Sequence, residues 1–150
     1  MNEIRGNIFK YIGKADAVCV TTNGVLKKGE DGCPSLVMGK GIALAFAKRY
    51  PRLPSILGGH VNRFGNRAFR VREENIDIVS FPTKHNWRDN SDISLIKKSA
   101  KEIVEMADKF NWNRIILPRP GCSNGQLDWK DVKKEIEGIL DDRFYVITKF

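Results

Sequence analysis

Cysteine and histidine are scarce in this chain. It has three cysteines, Cys19, Cys33 and Cys122, and two histidines, His60 and His85. The odd number and irregular spacing of the cysteines argue against a disulfide framework. No zinc-like spacing joins the cysteines to the histidines. We therefore expect a protein without disulfides and without a bound metal.

Long apolar runs are absent as well. No stretch approaches the roughly 18 consecutive apolar residues that predict a membrane span, and the first ten residues, MNEIRGNIFK, lack the apolar segment of a secretory signal. The 150 residues match the length of one ordinary globular domain. We expect one domain over residues 1–150, monomeric, cytoplasmic and not bound to membranes.

Acidic residues are few in the first half of the chain. Residues 1–72 hold 13 basic and 4 acidic side chains, a net charge of +9, whereas the whole chain carries +8. Clustered arginines could form a patch that attracts phosphates, with nucleic acid as the obvious polyanion. The candidates are Arg49, Arg52, Arg63, Arg67, Arg70 and Arg72. A generally solvated basic surface is the alternative.

Short segments rich in β-branched and aromatic residues predict strands. They are 17–22, 68–71, 76–81, 114–117 and 144–148, with a weaker candidate at 3–5. Helices are predicted at 41–49, 91–110 and 128–140, the last two with Ser91 and Asp128 as N-caps. This alternation predicts an α/β sheet covered by helices on both faces, in which mixed strand order is possible.

Two segments show no clear period. Residues 24–36 are predicted to be an irregular loop, and residues 51–65 a connection with at most about one turn of helix. Long loops in compact domains are often functional or mobile. Either segment could therefore lie over a ligand.

A glycine-rich stretch, VMGKGIA, places Gly39 and Gly41 immediately before a predicted helix. Glycines allow close approach of the backbone, and the free N–H groups of a helix start favour an anion such as phosphate. However, Leu44 occupies the third glycine position of a dinucleotide fingerprint, and no Lys-Ser/Thr pair follows as in a Walker loop. A tight loop with a glycine N-cap is the alternative.

A second loop, LPRPGCSNG at 117–125, lies between a predicted strand and the helix that begins near Asp128. Open α/β sheets bind ligands at the carboxyl ends of their strands. Two loops rich in free N–H groups could therefore grip a diphosphate from both sides.

Three separated stretches, VMGKGIALAFAKRYP, FPTKHNWR and LPRPGCSNGQLDW, make this chain resemble the macrodomain family. The resemblance is to the branch that contains terminal ADP-ribose glycohydrolases and the antitoxin that removes ADP-ribose from thymidine in DNA. It spans about residues 5–148. It implies a three-layer α/β/α macrodomain with a mixed central sheet, ADP-ribose as ligand and ADP-ribosyl hydrolysis as activity. Such hydrolysis implies no metal or redox cofactor.

The resemblance also implies which residues bind ADP-ribose. Those near the distal ribose and phosphates would be Asn23, Gly39, Lys40, Gly41, Ile42 and Ala43. Those of the opposing phosphate loop would be Pro120, Gly121, Cys122, Ser123, Asn124 and Gly125. Asn7, followed by Ile8, stands where the family usually has an aspartate that binds the adenine amino group. An amide oxygen can accept the same hydrogen bond without charge, so looser base recognition is expected.

Lys84 matches the catalytic lysine of the resembling enzymes. Its amine would attack the anomeric carbon of the distal ribose and form an imine with the opened sugar, which requires a neutral amine. His85, Arg88, Lys40 and Arg119 could provide the positive surroundings that favour the neutral form. An ordinary solvated lysine after a strand is the alternative.

Gly125 departs from the protein-directed members of this branch, which carry an acidic residue there. Residues 127–129 (Leu-Asp-Trp) match the DNA-directed antitoxin more closely, which together with the basic first half favours DNA as the modified partner. Trp87 could stack on a base or ribose, or simply pack at a strand end. Cys122 has no histidine placed by sequence to activate it.

Three other functions stay open. The chain could be a reader that binds ADP-ribose without turnover. It could be a phosphatase acting on ADP-ribose 1″-phosphate, for which Lys84 is dispensable. It could also be a nucleic-acid-binding module acting through its basic half, with strong salt dependence.

Overall fold

The computed structural model describes residues 1–149. Its main strands are β1 (Asn2–Arg5), β2 (Ala17–Thr22), β5 (Arg70–Glu73), β6 (Ile76–Pro82), β7 (Ile115–Pro118) and β8 (Phe144–Thr148). They form one sheet in the order β1-β8-β7-β2-β6-β5. Only β5 runs antiparallel to its neighbour, so the central sheet is mixed.

The helices lie between these strands. They are α1 (Gly41–Arg49), α2 (Leu53–Phe64), α3 (Ile93–Phe110) and α4 (Trp129–Ile136), preceded by a 3₁₀ turn at Ile8–Tyr11. A hairpin of β3 (Leu26–Lys28) and β4 (Pro34–Leu36) forms a second, two-stranded sheet. Of the helices among residues 1–149, none combines the length and apolarity that crossing a membrane requires.

Strand β2 shows why the sheet is covered on both faces. Its first four residues are fully buried, and successive side chains of a strand point to opposite faces. Ala17 and Cys19 enter the core that α3 and α4 close, whereas Val18 and Val20 enter the core that α1 and α2 close. The predicted three-layer α/β/α arrangement is therefore confirmed.

Helix α2 was not expected, and the prediction of a poorly periodic connection at 51–65 is wrong. Leu53, Leu57 and Val61 recur at helical spacing and are buried in the second core. Pro54 in the first turn is compatible with a helix, since the N–H it removes has no intrahelical partner there. Packing of this apolar face offsets the low helix propensity of its two glycines.

Segment 24–36 is also more regular than expected, because the hairpin occupies it. Strand β5 begins at Arg70 rather than 68. The preceding backbone N–H groups of Ala68 and Phe69 are taken by side chains, those of Glu102 and Ser80, at 3.2 and 2.9 Å. The prediction of an irregular loop is therefore wrong at the hairpin, and the strand is displaced by two residues.

Of the two predicted helix N-caps, the one for α3 is wrong and the one for α4 is confirmed. Asp92, not Ser91, caps α3, because its carboxylate accepts from the Ser94 N–H at 2.9 Å. Asp128 caps α4 as expected, accepting from the Lys130 N–H at 3.0 Å. Helix α4 ends at Ile136 rather than at 140, two residues before Gly138, where the low helix propensity of glycine favours termination.

Two neighbouring glycines of α2 provide a stability test. A Cβ on Gly58 would lie 2.5 Å from the Pro34 carbonyl oxygen, whereas nothing lies within 4 Å of one on Gly59. We expect Gly58→Ala to lower the free energy of unfolding by about 1–3 kcal/mol through overpacking. Gly59→Ala should raise it by about 0.5–1 kcal/mol, since alanine favours the helix. Urea unfolding of both variants checks this, and equal shifts would contradict the close packing of α2 on the hairpin.

Candidate functional site

The carboxyl ends of β2, β6 and β7 meet at the centre of the sheet. β6 and β7 lie on opposite sides of β2, so the chain reverses its direction of strand addition there. Such switch points are where open α/β sheets bind ligands. The β2–β7 ladder also stops at Val18↔Ile116 although both strands continue. The strands therefore separate toward this edge and leave space between the loops that follow them.

The three sequence motifs converge at this edge. Lys84, half-buried after β6, donates from Nζ to the backbone carbonyl of Asn124 at 3.1 Å. The Asn124 side chain in turn lies against Gly41, where an added Cβ would come within 2.9 Å of its Nδ2. Gly41 has φ +56°, a conformation that favours glycine. The lysine and both glycine-rich loops therefore form one continuous set of contacts.

The first loop presents the start of α1. Gly39 and Lys40 are exposed, and Lys40 occupies the N-cap position without a side-chain hydrogen bond to the helix. Because no side chain caps this turn, its N–H groups can bind an anion. Ile42 and Ala43 are half-buried and pack against the core beneath α1. They anchor the loop by their side chains.

The second loop is closed by its own backbone. The Leu127 N–H donates to the Gly121 carbonyl at 2.8 Å, and the Ser91 N–H donates to the Gly125 carbonyl at 3.1 Å. Gly121 has φ +78°. Within residues 120–125 of this loop, the buried residues are Pro120, Gly121 and Gly125, the half-buried residue is Cys122, and the exposed residues are Ser123 and Asn124. The exposed tip is the part that faces Lys84.

Gly125 has no room for a side chain. An added Cβ would overlap the Ser91 Oγ and lie 2.6 Å from the Gly121 carbonyl oxygen. Ser91 is itself buried, and its hydroxyl has no hydrogen-bond partner among the described residues. The acidic side chain of the protein-directed enzymes therefore has no place at position 125.

Cys122 is an unreactive thiol in this setting. Burial raises the pKa of its thiol to about 11, although the nearby Arg119 acts in the opposite direction. At neutral pH the group is therefore a thiol rather than the thiolate a nucleophile needs. The protonated state of the thiol argues against Cys122 as a nucleophile.

Two asparagines that are predicted to contact the ligand use their side chains for hydrogen bonds to backbone groups of the protein. Asn23 is buried, and its amide bridges two backbone groups: Nδ2 donates to the Val37 carbonyl and Oδ1 accepts from the Val25 N–H, at 2.9 and 2.8 Å. Asn7 is exposed and caps the 3₁₀ turn, where its Oδ1 accepts from the Phe9 N–H at 3.0 Å. The neighbouring Ile8 is buried. Contact of these side chains with ribose or adenine stays a prediction.

Two of the four side chains expected to surround Lys84 with positive charge lie against carboxylates. Arg119 lies 3.7 Å from Glu3. His85 lies 2.8 Å from Asp92, and this hydrogen bond lowers the pKa of the Asp92 carboxyl. Lys40 and Arg88 have no carboxylate within ion-pair distance in residues 1–149 and remain available to an anion.

The arginine-rich segment does not form one unpaired patch. Arg52 pairs with Glu73, Arg67 with Glu102, and both Arg70 and Arg72 with Asp77, at 2.9 to 3.5 Å. Arg49 and Arg63 lie over aromatic rings. Four of the six predicted members of the patch are thus paired, and because Arg70 and Arg72 share one carboxylate, one positive charge among the four stays uncompensated.

Sequence reasoning missed Asn66, which supports the candidate nucleophile. Its Nδ2 donates to the backbone carbonyl of Lys84 at 3.0 Å, and its side chain lies against Gly24. No local sequence pattern distinguishes Asn66, because it follows segment 51–65, where the sequence does not predict helix α2. Ser91 was noticed only as an N-cap, whereas it packs behind the second loop.

No protein-family model matches the sequence. Among curated relatives, the DNA ADP-ribosyl glycohydrolase of Mycobacterium tuberculosis is 33% identical over 107 residues, which are 67% of this chain and 30% of the relative. The DNA ADP-ribosyl glycohydrolase of Thermus aquaticus is 28% identical over 145 residues, or 92% of this chain and 37% of the relative. The chain thus spans about a third of the length of the curated relatives it matches.

Several solved structures are similar to this chain over nearly its whole length. The macrodomain of Thermus aquaticus DarG aligns with a TM-score of 0.80 at 26% identity, covering 99% of this chain and 97% of that one. The macrodomain of Mycobacterium tuberculosis DarG aligns with a TM-score of 0.77 at 28% identity, covering 97% and 95%. Thermosipho africanus DarTG in complex with ADP-ribose aligns with a TM-score of 0.77 over 98% of this chain and 41% of that one, at 21% identity, a likeness of fold.

Proposed function

Because the chain has a macrodomain fold and is similar to DarG macrodomains in sequence and structure, we propose that it binds ADP-ribose and hydrolyses the bond between ADP-ribose and a modified macromolecule, with DNA preferred over protein. The observation that carries the proposal is the meeting of Lys84, Asn124 and Gly41 at one point. The names of the curated relatives, DNA ADP-ribosyl glycohydrolase, support the same reaction.

The two loops would hold the diphosphate between them. On one side lie the exposed start of α1 and Lys40, which has no carboxylate partner among residues 1–149. On the other lies the exposed tip at Ser123 and Asn124. Asn124 bridges both sides through Gly41 and Lys84, so we expect its side chain to shift when phosphates bind. Backbone N–H groups and one lysine suit a diphosphate.

Lys84 would then act on the distal ribose. Its neutral amine adds to the anomeric carbon, the bond from that carbon to the DNA breaks, and the released DNA takes a proton. The adduct opens to an imine between Lys84 and the sugar. Water hydrolyses this imine, which frees the amine and ADP-ribose. The hydrogen bond that Lys84 makes to the Asn124 carbonyl aims Nζ at the cleft before attack.

A reader without turnover is the second candidate. It is favoured by Gly125, which leaves the loop without the acid that helps to resolve the lysine adduct in protein-directed enzymes. The close contacts around Gly125 give this alternative a structural basis, since the loop cannot hold an acidic side chain there. The two functions share binding and differ in turnover.

The test is release of ADP-ribose, measured by chromatography, from an ADP-ribosylated single-stranded oligonucleotide and from an ADP-ribosylated protein. The proposal expects turnover of the DNA and little of the protein. Tight binding of ADP-ribose by calorimetry with no release from either substrate would identify a reader instead. No binding at all would overturn the ligand assignment.

The Gly41→Glu variant tests the binding site. We expect it to weaken ADP-ribose binding at least about 100-fold, because its side chain would press on Asn124 and put a negative charge beside the phosphates. Gly138→Glu is the matched control, since nothing lies within 4 Å of an added Cβ there. Calorimetric titration of both variants gives the answer, and near-normal binding by Gly41→Glu would place the phosphates elsewhere.

A further inference from the structure

Trp87 is an exposed aromatic residue three positions after Lys84 in the chain. Its side chain is 43% exposed, and only Phe64 and Phe110 join it as exposed large hydrophobic residues of the described chain. Each of those two rings lies near a second aromatic ring, at 6.2 and 5.3 Å. Trp87 has instead the Arg88 guanidinium over its ring, with Cζ 4.9 Å from the centroid. A large part of this residue thus remains open to solvent.

The loop that carries this ring is braced. Before Trp87, the Lys84 carbonyl accepts from Asn66 Nδ2 at 3.0 Å. After it, the Arg88 N–H donates to the Asn86 side chain at 3.0 Å, which closes a local turn. A loop whose backbone is already held loses little freedom on binding, so its contacts contribute more to affinity.

The charge beside the ring suits a phosphate. Arg88 has no carboxylate within ion-pair distance in residues 1–149, unlike the four paired arginines of the first half. A planar guanidinium binds phosphate oxygens in pairs, and an exposed indole stacks on any nucleobase. Asp89, the next residue in the chain, is exposed, and its carboxylate would repel a phosphate placed beside it.

We propose that Trp87 and Arg88 form a docking platform for the single-stranded DNA next to the modified nucleotide. A base stacks on the Trp87 ring, and Arg88 binds an adjacent phosphate. Three residues of chain span at most about 10 Å, which keeps the stacked base close to the nucleotide on which Lys84 acts. This inference rests on the proposed function, from which it takes the DNA substrate.

The test uses unmodified fluorescent oligothymidylate at low salt, with binding followed by anisotropy. Trp87→Ala should weaken binding by about 5- to 150-fold, the value of stacking one base, and Trp87→Phe should restore part of it. Arg88→Ala should lower the slope of log affinity against log salt by about 0.7, as for one lost phosphate contact. Phe110→Ala is the matched control: that ring also lies under cations, Arg70 and Lys109.

The control ring is remote from the site. Helix α3 starts beside the Lys84 loop and runs 18 residues to Phe110, about 27 Å away. Phe110→Ala should therefore leave DNA binding within about two-fold of the unchanged protein. An effect as large as that of Trp87→Ala would show general loss of surface contacts and overturn the platform.

The experiments distinguish a failure of the docking platform from a failure of the proposed function. If the unchanged protein binds oligothymidylate through Trp87 but releases no ADP-ribose, the platform stands and the hydrolase assignment fails. If it releases ADP-ribose from modified DNA while Trp87→Ala matches it in DNA binding and in KM, the platform fails and the hydrolase stands. Absence of DNA binding by the unchanged protein at low salt also overturns the platform.

Discussion

Lys84→Ala is expected to reduce the release of ADP-ribose from modified DNA by at least about 10³-fold, because the variant has no amine to form the imine. Affinity for ADP-ribose should stay within about ten-fold of the unchanged protein. The mutation removes one hydrogen bond, from Nζ to the Asn124 carbonyl, while both glycine loops keep their backbone bonds. The loss of one such bond costs about 0.5–1.5 kcal/mol. Single-turnover release and calorimetry measure the two effects.

Lys84→Arg is the matched control for charge. Arginine has a long, positively charged side chain that can reach the same carbonyl. Its guanidinium stays protonated, however, and does not form an imine. We expect it to be as inactive as alanine while preserving binding. Reduction with borohydride during turnover should trap ADP-ribose on Lys84 of the unchanged protein, located by peptide mass mapping. Release by either variant at more than a tenth of the normal rate would exclude a covalent lysine.

Gly125→Glu is expected to destabilise the protein by about 3 kcal/mol or more and to bring no gain in turnover. A Cβ at this position would overlap the Ser91 hydroxyl and approach the Gly121 carbonyl to 2.6 Å, and the second of these is backbone. Inserting atoms into a packed site typically costs about 1–3 kcal/mol, and more where the neighbours cannot move. Restoring the acid of protein-directed enzymes would therefore damage the loop rather than change its specificity.

Ser123→Glu is the control for Gly125→Glu, since it adds the same acid at an exposed position of the same loop. We expect it to unfold at nearly the same urea concentration as the unchanged protein. A double variant, Ser91→Gly with Gly125→Ala, should recover only part of the loss from Gly125→Ala, because the backbone contact with Gly121 remains. A stable Gly125→Glu protein with faster turnover would contradict this account of the loop.

Some local features were predictable because their causes are local. Asp128 caps α4 with its own side chain, and the unbroken apolar run at the start of β2 requires a sheet covered on both faces. Helix α2 was missed for the opposite reason. Its glycines obscure the period, and Gly58 is needed only because the β4 backbone lies against it. Ser91 was misread as a cap because a sequence does not show that its N–H binds Gly125.

The sequence by itself determined the order of the motifs, all six strands of the main sheet to within two residues and the resemblance to macrodomains. It did so because hydrophobic period, turn chemistry and glycine spacing act between near neighbours along the chain. Only the tertiary structure decided that Lys84 meets Asn124, that Asn66 holds the Lys84 carbonyl, and that Arg67 pairs with Glu102. These contacts join residues far apart in sequence, and packing of the sheet and helices sets their distances.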